Sequence, residues 1–310
     1  MKNNLSNIKK SKYYLNKGEC IAIPTETVYG LAGNAYSNKA TLKIFKLKKR
    51  TKKSPLIVHY HNLKMLKNDC IINTQFFKLY KKFCPGPITF VLKLKKSSKI
   101  SKNVTNNKKT LAIRFPSHPL TKKLLKLLNY PLAAPSANIS TKISPVSKDD
   151  VKEEFGNKIK FILDGGRSKI GLESTIISLV NKPKILRLGG IERTKINKVL
   201  NKNIKFDRKN QKITVPGQSK LHYSPGIPIK LNTSKPKPNE AFILIKKRKK
   251  SYKNYYYLSK NKNLKQAAKN LYRILRVIKN KNYKSIVVEK IPNIGFGEAI
   301  NDRLKRASTK

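Results

Sequence analysis

The chain has 310 residues, 71 Lys+Arg against 15 Asp+Glu, a formal charge of +56 and 38% hydrophobic residues, enough to bury a core and too much for a disordered basic tail. No apolar run approaches the ~18 residues of a membrane span, and the polar stretch Met1 to Lys10 has no apolar signal segment. Cys20, Cys70, Cys84 and four histidines lack disulfide-scaffold or zinc spacing, so a reduced, soluble, cytoplasmic protein without a membrane partner is expected. Along the chain, Cys20–Ile23 is a short apolar run closed by Pro24. Ser37 is placed to cap a helix that carries Ala40, Leu42, Ile44, Phe45 and Leu47. Leu56–Tyr60 reads as a buried strand, and Phe76–Phe83 as a helix that stops at Pro85-Gly86-Pro87. Ile88–Leu94 and Leu111–Phe115 are strands, and His118–Leu128 is an amphipathic helix. Leu132–Ala134, Phe161–Leu163, Ile176–Val180 and Ile185–Leu188 add strands to what must be a large sheet.

Character changes after that. Asn201 to Ser219 is polar and lysine-rich, and it leads to Pro216-Gly217 and Leu221-His222-Tyr223-Ser224-Pro225-Gly226. Ala241–Ile245, Tyr255–Leu258, a helix over Leu264–Ile278 and Ile286–Glu289 follow in β-β-α-β order. Gly295-Phe296-Gly297 then opens a last helix, Glu298–Arg306. This predicts a first α/β domain over 1–203, a linker over 204–239 and a small second α/β domain over 240–310.

The basic excess is 60 Lys and 11 Arg, beside 30 Asn and no Trp. Lys and Asn are the residues of A/T-rich codons, so composition explains most of the charge, whereas base-reading surfaces lean on arginine. Lysine density still attracts phosphate, so weak nucleic-acid contact is expected. Carboxylates are scarce: between Glu26 and Asp149 only Asp69 occurs. A carboxylate pair or a two-metal site is hard to build from that half. Phosphate-loop, dinucleotide and serine-elbow motifs are absent from it. Chemistry here would rest on positioning and positive charge, which suits reaction at a phosphate.

Four irregular polar segments sit at strand ends, where α/β folds collect ligands. They are Pro24-Thr25-Glu26-Thr27-Val28-Tyr29-Gly30; Lys48-Lys49-Arg50 with Ser54-Pro55-Leu56-Ile57-Val58-His59; Thr110 to Pro116 with Ala133-Ala134-Pro135-Ser136-Ala137-Asn138; and Asp164-Gly165-Gly166 with Gly171-Leu172-Glu173-Ser174-Thr175 and Leu186 to Gly190. Together these segments closely resemble the threonylcarbamoyl-AMP synthase family from about Gly18 to Gly190. The linker and second domain resemble the family's long, two-domain form. The resemblance implies a YrdC-like twisted mixed sheet with a basic concave cleft, followed by a small Rossmann-like αβα domain. It also implies condensation of L-threonine, bicarbonate and ATP to threonylcarbamoyl-adenylate and pyrophosphate, with Mg²⁺ accompanying ATP. A downstream tRNA threonylcarbamoyltransferase complex would receive the product.

By the same resemblance, Lys48, Arg50, Ser136 and Asn138 form the catalytic tetrad. Thr27, His59, Thr110, Arg114 and Thr175 would bind threonine, with Arg114 facing its carboxylate. Arg50, Ser54, Ala134, Ser136, Ser144, Arg187 and Tyr223 would contact ATP, and no residue ligates a metal. Ser54 stands where many relatives have Asn or Lys, and Lys53 is placed to share phosphate neutralisation. Blander readings stand beside these. Glu26 and Glu173 read better as carboxylates holding turn amides than as bases. Asp164-Gly165-Gly166 reads as a tight turn allowing close approach, and Gly295-Phe296-Gly297 as a structural or interdomain element rather than an anion site. The rival function is a non-catalytic basic protein acting on tRNA or ribosomes, for which Thr27, His59 and the tetrad have no use. A carbamoyl-adenylate enzyme of the hydrogenase-maturation type would need zinc-finger modules, for which this chain lacks the cysteines.

Overall fold

The computed structural model describes residues 2–51, 54–206 and 222–308. In chain order the first domain runs α1 (Lys2–Asn16), β1 (Ile21–Ile23), β2 (Gly30–Asn34), α2 (Asn38–Leu47), β3 (Ile57–His59), α3 (Leu63–Asp69), β4 (Cys70–Ile71), α4 (Thr74–Phe83), β5 (Ile88–Leu94), α5 (Lys102–Thr105), β6 (Thr110–Arg114), α6 (Pro119–Lys126), β7 (Leu132–Ala133), α7 (Lys148–Phe155), β8 (Thr175–Ser178), β9 (Lys184–Arg187) and α8 (Arg193–Leu200). The nine strands form one mixed sheet in the order β1-β2-β7-β3-β6-β5-β8-β9, with β4 added to β5. Pairing is parallel between β3 and β6 and between β5 and β8, and antiparallel elsewhere.

Local chemistry explains the boundaries. Ser37 accepts the Ala40 amide at the start of α2, and Asn73 accepts that of Phe76 at the start of α4. Two differences from the sequence reading stand out. The polar N-terminus is a helix, because Ile8, Ser11 and Leu15 fall on one face and bury against Ile21, Leu124 and Leu132. Phe161–Leu163 is not a strand but a single bridge from Ile162 to Ala22, because the Asp164-Gly165-Gly166 turn cuts it short. That turn is tight as read: Asp164 accepts the Gly166 amide at 3.0 Å, and a Cβ on Gly165 would lie 2.6 Å from Pro24.

The second domain carries β10 (Ile229–Leu231), β11 (Glu240–Lys246), β12 (Tyr255–Ser259), α9 (Leu264–Lys279), β13 (Ser285–Val288) and α10 (Phe296–Ala307). Its four strands are all parallel, in the order β10-β13-β11-β12. Strand β10 lies inside the 204–239 stretch expected as linker, so the second sheet begins earlier in the chain than its composition suggests. Helices α9 and α10 pack on each other and share a core with Ile243 and Ile286, while Phe242, Leu244 and Val287 form a separate cluster. No helix among the described residues is long and apolar enough to cross a membrane.

Scarce carboxylates join the two domains. On α9, Arg276 donates to Glu153 at 2.9 Å and Glu154 at 3.2 Å on α7, and Lys279 donates to Glu153 at 2.7 Å. Arg193 at the start of α8 pairs with Glu298 on α10 at 2.7 Å. Gly171, at φ +76°, lets the chain pass where a Cβ would sit 2.5 Å from the Lys269 carbonyl oxygen. Gly295 starts α10 where a Cβ would lie 3.0 Å from the Glu192 carboxylate of the first domain, which places this segment at the domain interface.

Candidate active site

The loop between β1 and β2 is shaped by Thr25. Its hydroxyl donates to the Val28 carbonyl at 2.6 Å and accepts the amides of Thr27 and Val28. With its proton committed, Thr25 can only accept from the Thr27 hydroxyl, 2.8 Å away. Thr27 in turn accepts from Arg114 Nη1 at 2.8 Å. Because β3 and β6 run parallel with His59 opposite Arg114, both side chains reach the same sheet end. Arg114 also donates to Glu26 Oε1 at 2.6 Å and to the Gly86 carbonyl at 3.3 Å. Glu26 holds the Ser117 amide with its other oxygen. The expected turn-amide role of Glu26 is therefore present, and the Arg114 fork is engaged by an internal carboxylate. His59 is 2% exposed, and its Nδ1 has no hydrogen-bond partner in the protein. Burial and the Arg114 cation depress its pKa well below the usual histidine value, so the imidazole is neutral.

The tetrad gathers where α2 ends. Lys48 caps that helix and is 1% exposed, unlike the solvated lysine its surroundings in sequence suggest. Its Nζ donates to the carbonyls of Ser136 and Asn138, both at 2.6 Å. Burial and neighbouring Arg50 lower its pKa well below the ordinary lysine value. Asn138 donates its amide to the carbonyls of Ile139 and Lys142, leaving Oδ1 buried and without a partner in the protein. Arg50 turns into the cleft and donates to the Ser54 hydroxyl and the Pro55 carbonyl, both neutral acceptors. Lys53 lies outside the described residues.

Across the cleft, Arg187 donates to the Ser174 carbonyl at 2.9 Å and its hydroxyl at 3.1 Å. Arg50 and Arg187 are near enough that Arg187, after burial, helps pull Arg50 down to about 10; it stays charged at neutral pH. His222 and Tyr223 close the space. Tyr223 is fully buried at φ +67°, stacks on Tyr272 with centroids 5.6 Å apart, and has the Arg303 guanidinium over its ring at 5.0 Å. Its hydroxyl and His222 Nδ1 have no partner in the protein. Burial and three neighbouring cations, Arg50 first among them, bring His222 down to about 3, against the pull of Glu173. Pro216, Gly217 and Leu221 lie outside the described residues.

The cleft is a small space of about 40 Å³, bordered by Thr27, Arg50, His59, Arg114, Ala134, Ser136, Arg187 and Tyr223. Ser54 supports it through Arg50. Ser144 stands one layer back and donates to Glu173 at 2.6 Å. Two of the sequence-assigned residues are not brought in. Thr110 sits opposite Lys93, at the far end of β6 from Arg114; four residue steps along the strand separate them, about 13 Å. Thr175 exchanges hydrogen bonds with the Ile191 backbone, and its neighbour Ser174 faces the cleft instead, as strand alternation requires. Sequence reasoning left out Ser174, Tyr272 and Arg303, and misjudged Glu173. Glu173 accepts from the side chains of Ser144, Tyr272 and Arg303 rather than from turn amides. Burial pushes the Glu173 pKa up, but Arg303 and Arg187 outweigh this and hold it at about 2.

Taken as chemistry, the cleft offers guanidinium forks, hydroxyls and neutral imidazoles, and no reactive nucleophile. No group of three or more His, Cys, Asp or Glu able to hold a metal occurs among the described residues. The cleft carboxylates Glu26 and Glu173 are both held by guanidinium groups, so these residues do not make a metal site.

The family model described as telomere recombination, covering Sua5, YciO and YrdC, matches residues 13–189. The model of the C-terminal domain of threonylcarbamoyl-AMP synthase matches residues 191–309. The threonylcarbamoyl-AMP synthase of Pyrococcus abyssi is 34% identical over 318 residues, covering 95% of this chain and 92% of that one. Its counterpart in Bacillus subtilis is 34% identical over 322 residues, covering 97% and 92%. The crystal structure of Pyrococcus abyssi Sua5 complexed with L-threonine superposes with a TM-score of 0.89 at 32% identity, over 97% of this chain and 94% of that one.

Proposed function

This chain belongs to the threonylcarbamoyl-AMP synthase family and is a nucleotidyltransferase, and from that premise we propose how its cleft performs the synthesis. L-Threonine, bicarbonate and ATP are condensed to threonylcarbamoyl-adenylate and pyrophosphate, for modification of the adenosine beside the tRNA anticodon. The amine of threonine adds to the carbon of bicarbonate, water leaves, and a carbamate forms. A carbamate oxygen then attacks the α-phosphorus, and pyrophosphate departs. No protein nucleophile is needed; positioning, charge neutralisation and exclusion of water are.

One observation carries this reading: Arg50 and Arg187 both line the same cleft, while the nearby carboxylates Glu26 and Glu173 are clasped by Arg114 and Arg303. Two cations lining one cleft favour an anion between them, and two forks suit phosphate oxygens. ATP is assigned to these forks, with Ser136, Ala134 and Tyr223 around it. Threonine is assigned to the Thr27 and His59 end. Arg114 holds Thr27 in place there, since its own fork is engaged by Glu26. Lys48 fixes the turn that presents Ser136 and Asn138. Mg²⁺ enters with the triphosphate, and no step is assigned to it. The protein works in the cytoplasm and hands the labile adenylate to a tRNA-modifying partner.

Pyrophosphate release from ATP is expected to require threonine and bicarbonate together; release with either alone at the full rate would overturn the reading. The amino acid choice should follow from the hydroxyl pair. Valine is expected to be rejected strongly, because it leaves a buried hydroxyl partner unpaired. Serine should fall between, having lost only a methyl worth about 1 kcal/mol. Comparing the three amino acids in the same assay checks this, and equal rates with valine would refute the pocket assignment.

A further inference from the structure

The second domain contributes two residues to the wall behind the cleft, and they meet at one first-domain carboxylate. Glu173 is 5% exposed. The Tyr272 hydroxyl from α9 donates to its Oε2 at 2.9 Å, and Arg303 Nε from α10 donates to the same oxygen at 2.9 Å. Arg303 is anchored further by the Leu188 carbonyl at 2.7 Å and by Asp302 at 2.8 Å. These two side chains also hold Tyr223: one supplies the stacked ring, the other the cation over its ring. The backbone beside Tyr223 is tied at both ends, His222 to the Arg306 carbonyl at 3.3 Å and Ser224 to the Thr141 carbonyl at 2.9 Å.

We propose that Glu173, Tyr272 and Arg303 form an interdomain latch that positions Tyr223 over the cleft, making the second domain a working part of the catalytic unit. The nucleotide-covering role of Tyr223 rests on the function proposed above; the latch itself is a statement about docking and is tested without substrates. Tyr223 cannot leave the cleft without giving up the stack and the cation–π contact. Once Tyr272 and Arg303 have organised around Glu173, the seat for Tyr223 is ready-made, and closure costs little further ordering. Without the clasp on Glu173, the same two side chains lose their fixed orientation and their hold on Tyr223. Tyr272 and Arg303 are thus positioning residues that act through Tyr223.

Hydrogen exchange of the intact protein over residues 222–226 reads the docking directly. Arg303→Lys keeps the charge and loses the fork. Tyr272→Phe keeps the ring and loses only the bond to Glu173. Each is expected to speed exchange in that segment at least fivefold, with exchange of β5 and β6 unchanged. Arg193→Ala breaks a rim pair elsewhere between the domains and should leave the segment at the native rate. If Arg303→Lys does not fold, Tyr272→Phe decides alone. Native exchange in the folded variants would overturn the latch, and so would equal acceleration in Arg193→Ala, which would mean general loosening. In the synthesis assay both latch variants should lower turnover about fivefold and leave the KM for threonine within twofold, because the threonine end touches neither residue. Failure of the synthesis assay in the unaltered protein would refute the function and leave the exchange result standing.

Discussion

Arg50→Ala is expected to lower turnover at least tenfold and to leave thermal unfolding within about 2 °C of the original. Its fork touches neutral oxygens of Ser54 and Pro55, so removal strands no buried carboxylate. Relief from the neighbouring Arg187 cation further offsets the lost hydrogen bonds. On the proposed assignment, what disappears is charge placed where phosphate charge develops. Arg50→Lys should recover part of the rate, because the cation returns without the bidentate geometry. Lys49→Ala is the matched control: the residue is exposed, and its side chain lies outside the cleft. Lys48→Ala should also cost at least tenfold, by another route. Its ammonium ties Ser136 to Asn138 through their carbonyls, and the turn that lines the cleft depends on it. Lys48→Arg should not rescue, because a planar fork does not fit where a compact ammonium has a carbonyl at 2.6 Å on two sides. Turnover measured with unfolding for each variant checks this. Equal losses from all three alanine changes would mean general electrostatics rather than a positioned group.

Much of this site was legible because its parts lie at strand ends in short polar runs. Thr27, His59, Arg114, Ala134, Ser136 and Arg187 each follow or end an apolar strand, Arg50 follows the end of α2, and pairing of β3 with β6 brings two of those runs together. Thr110 and Thr175 show where linear reading stops. Each lies beside the right segment, but a strand moves about 3.3 Å per residue and reverses its side chain at every step. That geometry places Thr110 at the wrong end and turns Thr175 away in favour of Ser174. Helix α1 was hidden because three well-spaced positions, Ile8, Ser11 and Leu15, suffice to seat it amid lysine and asparagine. Glu173 was visible as a residue but not as a hub, since its partners Tyr272 and Arg303 are 99 and 130 positions away. No local pattern announces contacts that only domain docking creates. The charge misled in one direction: the few acidic residues of α7 pair across the domain interface, so scarcity of carboxylates marks structural value here.

Tyr223→Ala is expected to weaken ATP binding or turnover at least tenfold, more than alanine at Lys202, Asn203 or Lys205, which are exposed. The segment His222 to Gly226 joins two domains, yet its tyrosine is fully buried, which a passive tether does not require. A carbamate and a mixed anhydride both decompose in water, so covering the cleft through the adenylation step protects the intermediate. The phenol hydroxyl is buried without a protein partner, and on the proposed assignment it meets the nucleotide. On the same assignment Tyr223 fills part of the space ATP would use, so the segment would move out and return in each cycle. Replacing a fully buried tyrosine by alanine removes packing worth about 3–5 kcal/mol, so the alanine variant must be read beside its unfolding midpoint. Tyr223→Phe separates the two contributions. It keeps the stack on Tyr272 and the Arg303 cation over the ring, and loses only the hydroxyl. If the hydroxyl meets the nucleotide, the phenylalanine variant should bind ATP several-fold more weakly at unchanged stability. If the ring alone covers the cleft, the variant should match the original while Tyr223→Ala fails. Full ATP affinity and adenylate formation in Tyr223→Ala would reduce the segment to a connector.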